Sequence, residues 1–231
     1  MSDIADNLDR VRERIARAEQ RAGRPAGCVT LLAVSKTQAA PAVRAAYAAG
    51  QRQFGESYVQ EALAKMDALG DLEAQWHFIG PIQSNKTRSI ATRFDWVHSL
   101  DRLKIAQRLS DQRPEGRAPL QVCLQVNISG EQAKSGADPA EVPELAAALA
   151  AQPRLRLRGL MAIPAAQTDP HRQRTAFAGL RRLQEDLLRG GLPLDTLSMG
   201  MSGDLEAAIL EGATLVRIGT AIFGQRPPAR E

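Results

Sequence analysis

The sequence predicts a (β/α)8 barrel of the TIM type, preceded by one extra helix. Eight short apolar segments with strand character alternate with helical patterns along the 231 residues. Hairpin signals are missing between these segments, which favours parallel pairing of the strands. The strand count and the chain length both agree with such a barrel. We therefore expect residues 1–231 to form a single domain.

The predicted elements follow one another at a steady spacing. An amphipathic helix occupies about the first 20 residues and should end at Gly23-Arg24-Pro25. The predicted strands are 29–35, 52–54, 75–79, 95–98, 120–127, 155–162, 195–198 and 214–218. The predicted helices between them are 41–49, 58–69, 102–111, 140–151, 171–188 and 204–210. An open doubly wound sheet is the alternative, but it needs a glycine-rich turn where Ser35-Lys36-Thr37-Gln38 stands.

Composition narrows the classes of function. Hydrophobic residues make up 44% and charged residues 24%, as in ordinary globular proteins. The net charge of +4 is a small excess carried by scattered arginines, so we do not expect a nucleic-acid-binding protein.

Cys28 and Cys123 lack metal or redox spacing and should be buried free thiols. A polar start over 1–14 and the lack of an apolar run of about 18 residues predict a cytoplasmic protein without a membrane span. Only the tail 226–231 should be loosely ordered.

Lys36 is the first candidate functional residue, because it follows the buried strand VTLLAVS directly. Lysine is among the residues least often buried, so a lysine at the end of a core strand is a candidate for chemistry. An amine in a partly dry pocket is a competent former of Schiff bases. The alternative is that the Lys36 side chain simply extends from the strand end into solvent.

The ends of the seventh and eighth strands carry small and hydroxylated residues, in the segments SMGMSGD (198–204) and VRIGT (216–220). Phosphate sites of such barrels favour the loops after the last two strands. Ser202 is expected to cap the following helix while neighbouring N–H groups face outward. Gly219 and Thr220 would let a phosphate approach the backbone closely. Both turns could instead be ordinary strand-to-helix connections.

A lysine, two candidate phosphate turns and Arg217 together suit pyridoxal 5′-phosphate (PLP). Its aldehyde needs a lysine, its phosphate needs N–H donors, and its pyridine nitrogen needs a partner. We assign that last role to Arg217. A guanidinium does not give up its proton, so it would keep the ring nitrogen unprotonated and weaken carbanion chemistry.

Other motifs are weaker. The segment GPIQSNKT (80–87) resembles a P-loop but has Asn85 in place of the second glycine. The segment GMSGD (200–204) resembles a nucleophile elbow but ends in an aspartate, which gives little support for a hydrolase. The three histidines lack metal-ligand spacing, so no metal site is predicted. His77, at a strand end, either packs near a ligand or is a structural histidine.

Seven segments spread along the chain are LLAVSKT, FGESYVQEA, WHFIGPIQSNK, LQVNISGEQAKSG, LRGLMAIP, LSMGMSGDLEAAI and VRIGTAIFG. Together they resemble the pyridoxal-phosphate homeostasis proteins, which are related to the N-terminal barrel of alanine racemase. The resemblance implies one barrel that binds PLP as a Schiff base on Lys36. It implies phosphate contacts from Ser202, Gly219 and Thr220, and a ring-nitrogen contact from Arg217. Members carry the cofactor or regulate vitamin B6 and amino-acid balance without established turnover, which makes apo forms of PLP enzymes candidate partners.

Two departures from the family pattern concern the cofactor site. Ser57 replaces the usual asparagine, so that contact near the cofactor would be shortened or water-bridged. Gln38 replaces a frequent second lysine and removes another point of attachment. The alternative function is an amino-acid racemase, which needs a second acid or base opposite the lysine. In alanine racemase that group comes from a second domain, across a dimer interface. This chain is predicted to be one barrel whose two tyrosines, Tyr47 and Tyr58, fall in predicted helices, so we expect a monomer with negligible racemase activity.

Overall fold

The computed structural model, which describes residues 3–130, 135–165 and 167–225, has the predicted architecture. Eight parallel strands form a closed barrel in which neighbours in the chain pair and the last strand pairs with the first. The strands are β1 (Thr30–Val34), β2 (Gln53–Glu56), β3 (Gln75–Phe78), β4 (Trp96–Leu100), β5 (Leu120–Gln125), β6 (Leu155–Met161), β7 (Thr196–Ser198) and β8 (Leu215–Ile218). The expected barrel is confirmed and the open sheet is excluded. The tail 226–231 and part of the segment LQVNISGEQAKSG (131–134) lie outside the described residues.

Nine described helices surround the barrel and connect its strands. They are α1 (Ile4–Arg21), α2 (Ala40–Ala48), α3 (Val59–Ala68), α4 (Thr87–Arg93), α5 (Leu103–Gln112), α6 (Val142–Ala150), α7 (Pro170–Arg189), α8 (Leu205–Leu210) and α9 (Thr220–Phe223). Every predicted helix is present, whereas α4 and α9 were not predicted. The helix α4 (TRSIATR) has a single large apolar residue and α9 has only four residues, so neither shows an apolar face in the sequence.

The extra helix α1 covers one side of the barrel and also reaches the loop after β7. Its buried face consists of Leu8, Val11, Ile15 and Ala18. This face packs against α2, α8 and α9. On its outer side, Arg14 donates to the Ser202 carbonyl over 3.1 Å and to Glu206 over 2.8 Å. The extra helix therefore helps to fix one of the predicted phosphate turns.

Closure of the barrel brings the first and last strands together at their carboxyl ends. Ala33 of β1 pairs with Ile218 of β8. A Cβ atom on Gly219 would lie 3.2 Å from the Val34 carbonyl oxygen, so the backbones approach more closely there than most side chains allow. Because Lys36 follows β1 by two residues, this pairing puts it beside the end of β8.

Further findings concern membrane spans, metal ligands and the two cysteines. Among the described residues, no helix is long and apolar enough to cross a membrane, and no three His, Cys, Asp or Glu side chains gather as metal ligands. Cys123 is a buried free thiol, as expected, and burial raises its pKa to about 12. The expectation of burial is wrong for Cys28, which is only half-buried because it precedes β1 at the rim of the barrel.

Candidate functional site at the carboxyl-terminal mouth

Five of the seven predicted site residues line one cavity of about 270 Å³ at the carboxyl ends of the strands. They are Lys36, Ser202, Arg217, Gly219 and Thr220. Apolar side chains, including Val34, Ile79 and Ile163, form much of the remaining wall. An amine, a guanidinium and two small-residue turns thus share one partly apolar pocket, which we call the carboxyl-mouth cavity.

The backbone on both sides of Lys36 is held by buried groups. Lys36 itself is half-buried. The Ser35 carbonyl accepts a hydrogen bond of 2.6 Å from Lys65 Nζ, and the Thr37 N–H donates to Glu61 Oε1 over 2.6 Å. Thr37 has a φ of 66° and is the only non-glycine residue with a positive φ in the described part of the chain. A β-branched residue in this region is strained, so the two hydrogen bonds hold the chain in a conformation it would not otherwise favour.

A largely buried charge cluster contacts the backbone on both sides of Lys36. We call it the Lys65 cluster; it comprises Ser35, Glu56, Glu61 and Lys65. Lys65 Nζ lies 2.7 Å from Glu56 Oε1 and 2.6 Å from Glu61 Oε1, while Ser35 Oγ donates to Glu56 over 2.7 Å. Burial raises the pKa of Glu56, although the Lys65 ammonium and the Ser35 hydroxyl both act to lower it. Sequence reasoning missed this cluster, although the i,i+4 spacing of Glu61 and Lys65 on α3 was a signal for an ion pair.

Arg217 projects from β8 and is only 4% exposed. Its Nη1 donates to the carbonyl and the hydroxyl of Ser198 over 2.6 and 2.8 Å, and its Nη2 donates to the Ala162 carbonyl over 3.0 Å. Burial lowers the pKa of the guanidinium to about 10, while nearby Asp204 acts to raise it. The group remains a cation at neutral pH. Three of the five N–H groups of an arginine are engaged in these bonds, which leaves donor capacity for a ligand.

The turn after β7 differs from its prediction. The expectation that Ser202 caps the next helix is wrong, because α8 begins at Leu205 and the capping position belongs to Asp204. The Asp204 carboxylate instead accepts from the Met201 N–H over 2.6 Å and closes the turn. Ser202 therefore lines the carboxyl-mouth cavity while its carbonyl is held by Arg14 of α1.

Ser57 and His77 are not among the residues that line this cavity. Ser57 is half-buried after β2, and its backbone packs so tightly on Gly80 that a Cβ there would lie 2.2 Å from the Ser57 carbonyl oxygen. His77 lies inside the barrel, 1% exposed, and stacks on Trp96 with ring centroids 5.4 Å apart. Burial lowers the pKa of His77 to about 3, so its ring is neutral.

His98 and Ser198 are the polar residues that sequence reasoning missed inside the barrel. Ser198 is hydrogen-bonded both to Arg217 and to His98, and His98 is hydrogen-bonded to His77. Their positions, in the middle of β4 and at the end of β7, gave no local signal of a shared role. His77 thus reaches Arg217 through two intermediate side chains.

A larger cavity of about 670 Å³ opens at the opposite, amino-terminal end of the barrel. Size alone would favour it as the ligand site, but its chemistry does not match a lysine-bound cofactor. No lysine is among the described residues that line it. Charged side chains in its wall bind one another and their polar neighbours: Arg158 Nε donates to Asp195 over 2.9 Å, and Arg158 Nη1 donates to Gln121 over 2.9 Å. We call it the amino-mouth cavity.

Comparison of the sequence with known proteins gives consistent matches. Residues 7–227 match the family described as alanine racemase, N-terminal domain. A Pseudomonas aeruginosa protein named pyridoxal phosphate homeostasis protein is 64% identical over 226 residues, which cover 98% of this chain and 97% of that protein. The Escherichia coli K12 protein of the same name is 55% identical, with 98% of each chain covered.

Comparison of the structure gives a match of the same kind. PipY of Synechococcus elongatus PCC7942, solved with PLP bound, superposes with a TM-score of 0.82 and is 40% identical. The match covers 96% of this chain and 100% of PipY. The similarity therefore extends over the whole barrel and includes the mouth that holds the candidate site.

Proposed function

The chain belongs to the alanine racemase N-terminal domain family and, within it, to the pyridoxal phosphate homeostasis proteins; from this premise we propose that it binds PLP and buffers or carries the cofactor in vitamin B6 and amino-acid homeostasis. One observation carries the proposal: the lysine, the arginine and both small-residue turns line a single cavity. The bound PLP of PipY, a relative of matching length, supports the identity of the ligand.

The donor set fits PLP. We assign Lys36 as the amine that holds the aldehyde in a Schiff base, and Ser202, Gly219 and Thr220 as the phosphate contacts. A Cβ atom at Gly219 would lie 3.2 Å from the Val34 carbonyl oxygen, so a larger residue would force this turn to shift. The cavity of about 270 Å³ is near the lower limit of ordinary ligand sites, which suits a small cofactor. When bound, PLP supplies an electrophilic carbon and an electron-accepting ring.

Arg217 is the basis for proposing storage rather than catalysis. Its cationic guanidinium is buried and held by three hydrogen bonds, so it is placed to donate to the ring nitrogen and not to protonate it. An unprotonated ring is a weaker electron sink, which lowers the reactivity of the bound cofactor. We propose no catalytic residue and no metal.

The remaining assignments follow from the same arrangement. One chain supplies the lysine, the arginine and both turns of the cavity, so we propose a monomer as the working unit. We propose the cytoplasm as its compartment, and apo forms of PLP enzymes as its partners. Ser57 and His77 remain proposed contacts at longer range, acting through intermediate groups.

The test is the absorbance spectrum of the purified protein titrated with PLP. We expect a band near the visible edge that borohydride traps and that Lys36→Ala abolishes. Lys104→Ala, which changes an exposed lysine on α5, is the matched control and should leave the band unchanged. A folded Lys36→Ala protein that retains the trapped band would remove Lys36 as the point of attachment.

The racemase alternative is tested with the same protein. Racemisation needs a second acid or base opposite the lysine, and neither tyrosine is among the residues that line the described cavity. Tyr58 is 56% exposed, and Tyr47 lies under Arg52, whose guanidinium carbon is 3.9 Å from the ring centroid. We expect the purified protein to convert D- or L-alanine to a negligible extent when the two enantiomers are measured by chiral chromatography. Robust turnover would overturn the non-catalytic assignment.

A further inference from the structure

A continuous row of side-chain hydrogen bonds crosses the barrel interior. Arg217 Nη1 lies 2.8 Å from Ser198 Oγ, which lies 2.7 Å from His98 Nδ1. His98 Nε2 lies 2.9 Å from His77 Nδ1, and His77 Nε2 lies 3.2 Å from Gln75 Oε1. Arg217 lines the carboxyl-mouth cavity and Gln75 lines the amino-mouth cavity, so these five residues, the histidine row, join the walls of both cavities.

The chemistry of the last member, with both imidazoles neutral, fixes the direction of every bond in the row. The Gln75 side-chain carbonyl oxygen only accepts, so His77 carries its proton on Nε2 and its Nδ1 accepts from His98 Nε2. A neutral His98 with its proton on Nε2 accepts at Nδ1, so the Ser198 hydroxyl donates there. Ser198 Oγ in turn accepts from Arg217, which only donates.

The surroundings keep both imidazoles neutral, as this direction requires. Ser198 and His98 are 0% exposed and His77 is 1% exposed. Burial holds the pKa of His98 well below its usual value, and repulsion from the Arg217 guanidinium and from any proton on His77 lowers it further. Trp96 packs against both rings, with centroids 5.4 Å from His77 and 5.7 Å from His98. A proton added to either ring would therefore be an unsolvated cation near a guanidinium.

We propose that Ser198 and His98 are positioning residues for the cofactor: they orient the Arg217 guanidinium so that its remaining N–H groups point to the ring nitrogen. The inference rests on the proposed function. His98 fixes the Ser198 hydroxyl as an acceptor toward Arg217, because a hydroxyl already donating to His98 has only lone pairs to offer. Loss of the Ser198 hydroxyl removes one of the two acceptors of Nη1, and loss of His98 removes the acceptor that holds the Ser198 hydroxyl in place, so either change lets the guanidinium rotate.

The first test needs no cofactor. With 15N-labelled histidine in the unliganded protein, NMR should show neutral rings with the proton on Nε2 for both His77 and His98. His171, exposed on α7, is the internal reference among the three histidines of the chain. A charged ring, or a proton on Nδ1 of His98, would overturn the row as described.

The second test uses variants loaded with PLP at one fixed pH. Ser198→Ala and His98→Leu should weaken PLP binding about three- to tenfold and change the intensity ratio of the bound-cofactor bands. His98→Gln offers an acceptor oxygen and a donor nitrogen in the same sense, so it should restore part of the wild-type ratio. Ser110→Ala is the matched control, because Ser110 is a 1% exposed serine whose hydroxyl accepts from the Arg154 N–H, away from the cavity.

The outcomes separate the two proposals. A purely structural role would lower the melting temperature of Ser198→Ala, as in Ser110→Ala, without changing the spectrum or the affinity. Unchanged spectra in both Ser198→Ala and His98→Leu would overturn the inference while PLP binding stands. If wild-type protein shows the expected tautomers but does not bind PLP, the proposed function fails, and the positioning role fails with it. Should one variant not fold, the other and the NMR measurement still decide.

Discussion

The two mouths of the barrel are built differently, and the smaller cavity is the one that the five predicted site residues line. At the amino mouth, about 670 Å³ of space is surrounded by charges that bind one another, as in the Arg158–Asp195 pair. At the carboxyl mouth, about 270 Å³ is bordered by Arg217, whose protein partners use only part of its donor capacity. A barrel places its variable loops at the carboxyl ends, while the amino ends serve stability. The donor capacity left on Arg217, rather than the volume of the cavity, is therefore the basis for proposing the ligand site at the carboxyl mouth.

The largest expected difference between the two mouths concerns their ion pairs. The Lys65 side chain is 6% exposed and Glu56 is 0% exposed, whereas Arg158 and Asp195 are 26% and 53% exposed. Lys65→Ala leaves a buried carboxylate without its cation and should lower the free energy of unfolding by about 3–5 kcal/mol. Arg158→Ala, the matched change at the amino mouth, should cost about 1 kcal/mol or less. Urea denaturation at neutral pH measures both, and equal losses would contradict the contrast.

The second expected effect concerns His77, which lies between the two mouths. Its pKa is lowered from 6.5 to about 3. Between these two values the imidazole is protonated in the unfolded chain and neutral in the folded chain. The stability that this neutral ring confers is complete above pH 6.5 and is lost as the pH falls toward 3.

The measurement compares wild type with His77→Gln by urea denaturation between pH 6.5 and 4.5. Wild type should lose about 2–3 kcal/mol more than the variant over this interval. His171→Gln, which changes an exposed histidine, should follow wild type. Parallel curves for wild type and His77→Gln would show that the barrel interior admits the proton.

The smallest expected effect concerns backbone strain at the carboxyl mouth. Thr37 has a φ of 66° and a buried hydroxyl oxygen with no hydrogen-bond partner. Thr37→Gly relieves a strain of about 1–2 kcal/mol but loses about 0.4–1 kcal/mol to the freer unfolded chain, so these two backbone effects give a net gain between zero and about 1.6 kcal/mol. PLP should nevertheless bind less tightly, because the chain beside Lys36 becomes freer.

Thr37→Ala separates the effect of the unsatisfied hydroxyl from that of the strained backbone, because it removes the hydroxyl and keeps the positive φ. Thermal melts give the change in stability, and absorbance titration gives the change in affinity. If Thr37→Gly binds PLP as tightly as wild type, the strained turn plays no part in holding Lys36.

Local sequence patterns were sufficient to predict the strands of the barrel and most of its helices. Every predicted strand and helix is present, because a buried parallel strand is a short continuous apolar run and each helix has a visible apolar face. The same patterns place Lys36 and Arg217 at one end of the barrel, since parallel strands all end on the same side. The helices α4 and α9 were missed because α4 has a single large apolar residue and α9 has only four residues, so neither shows an apolar face in the sequence.

The capping role predicted for Ser202 failed for a related reason. Ser202 and Asp204 are both good capping types two residues apart, and the sequence does not show where the turn ends and α8 begins.

The sequence by itself determined the barrel, the position of the lysine and the small-residue turns, because each depends on neighbours in the chain. Only the tertiary structure decided which polar groups meet inside. His98 and Ser198 are 100 residues apart, and their contact of 2.7 Å depends on the stagger with which eight strands close into a ring. Closure also decided that His77 is buried inside the barrel and that Arg217 lines the smaller cavity. Side-chain pairing across a closed sheet is a property of register, and local periodicity does not encode it.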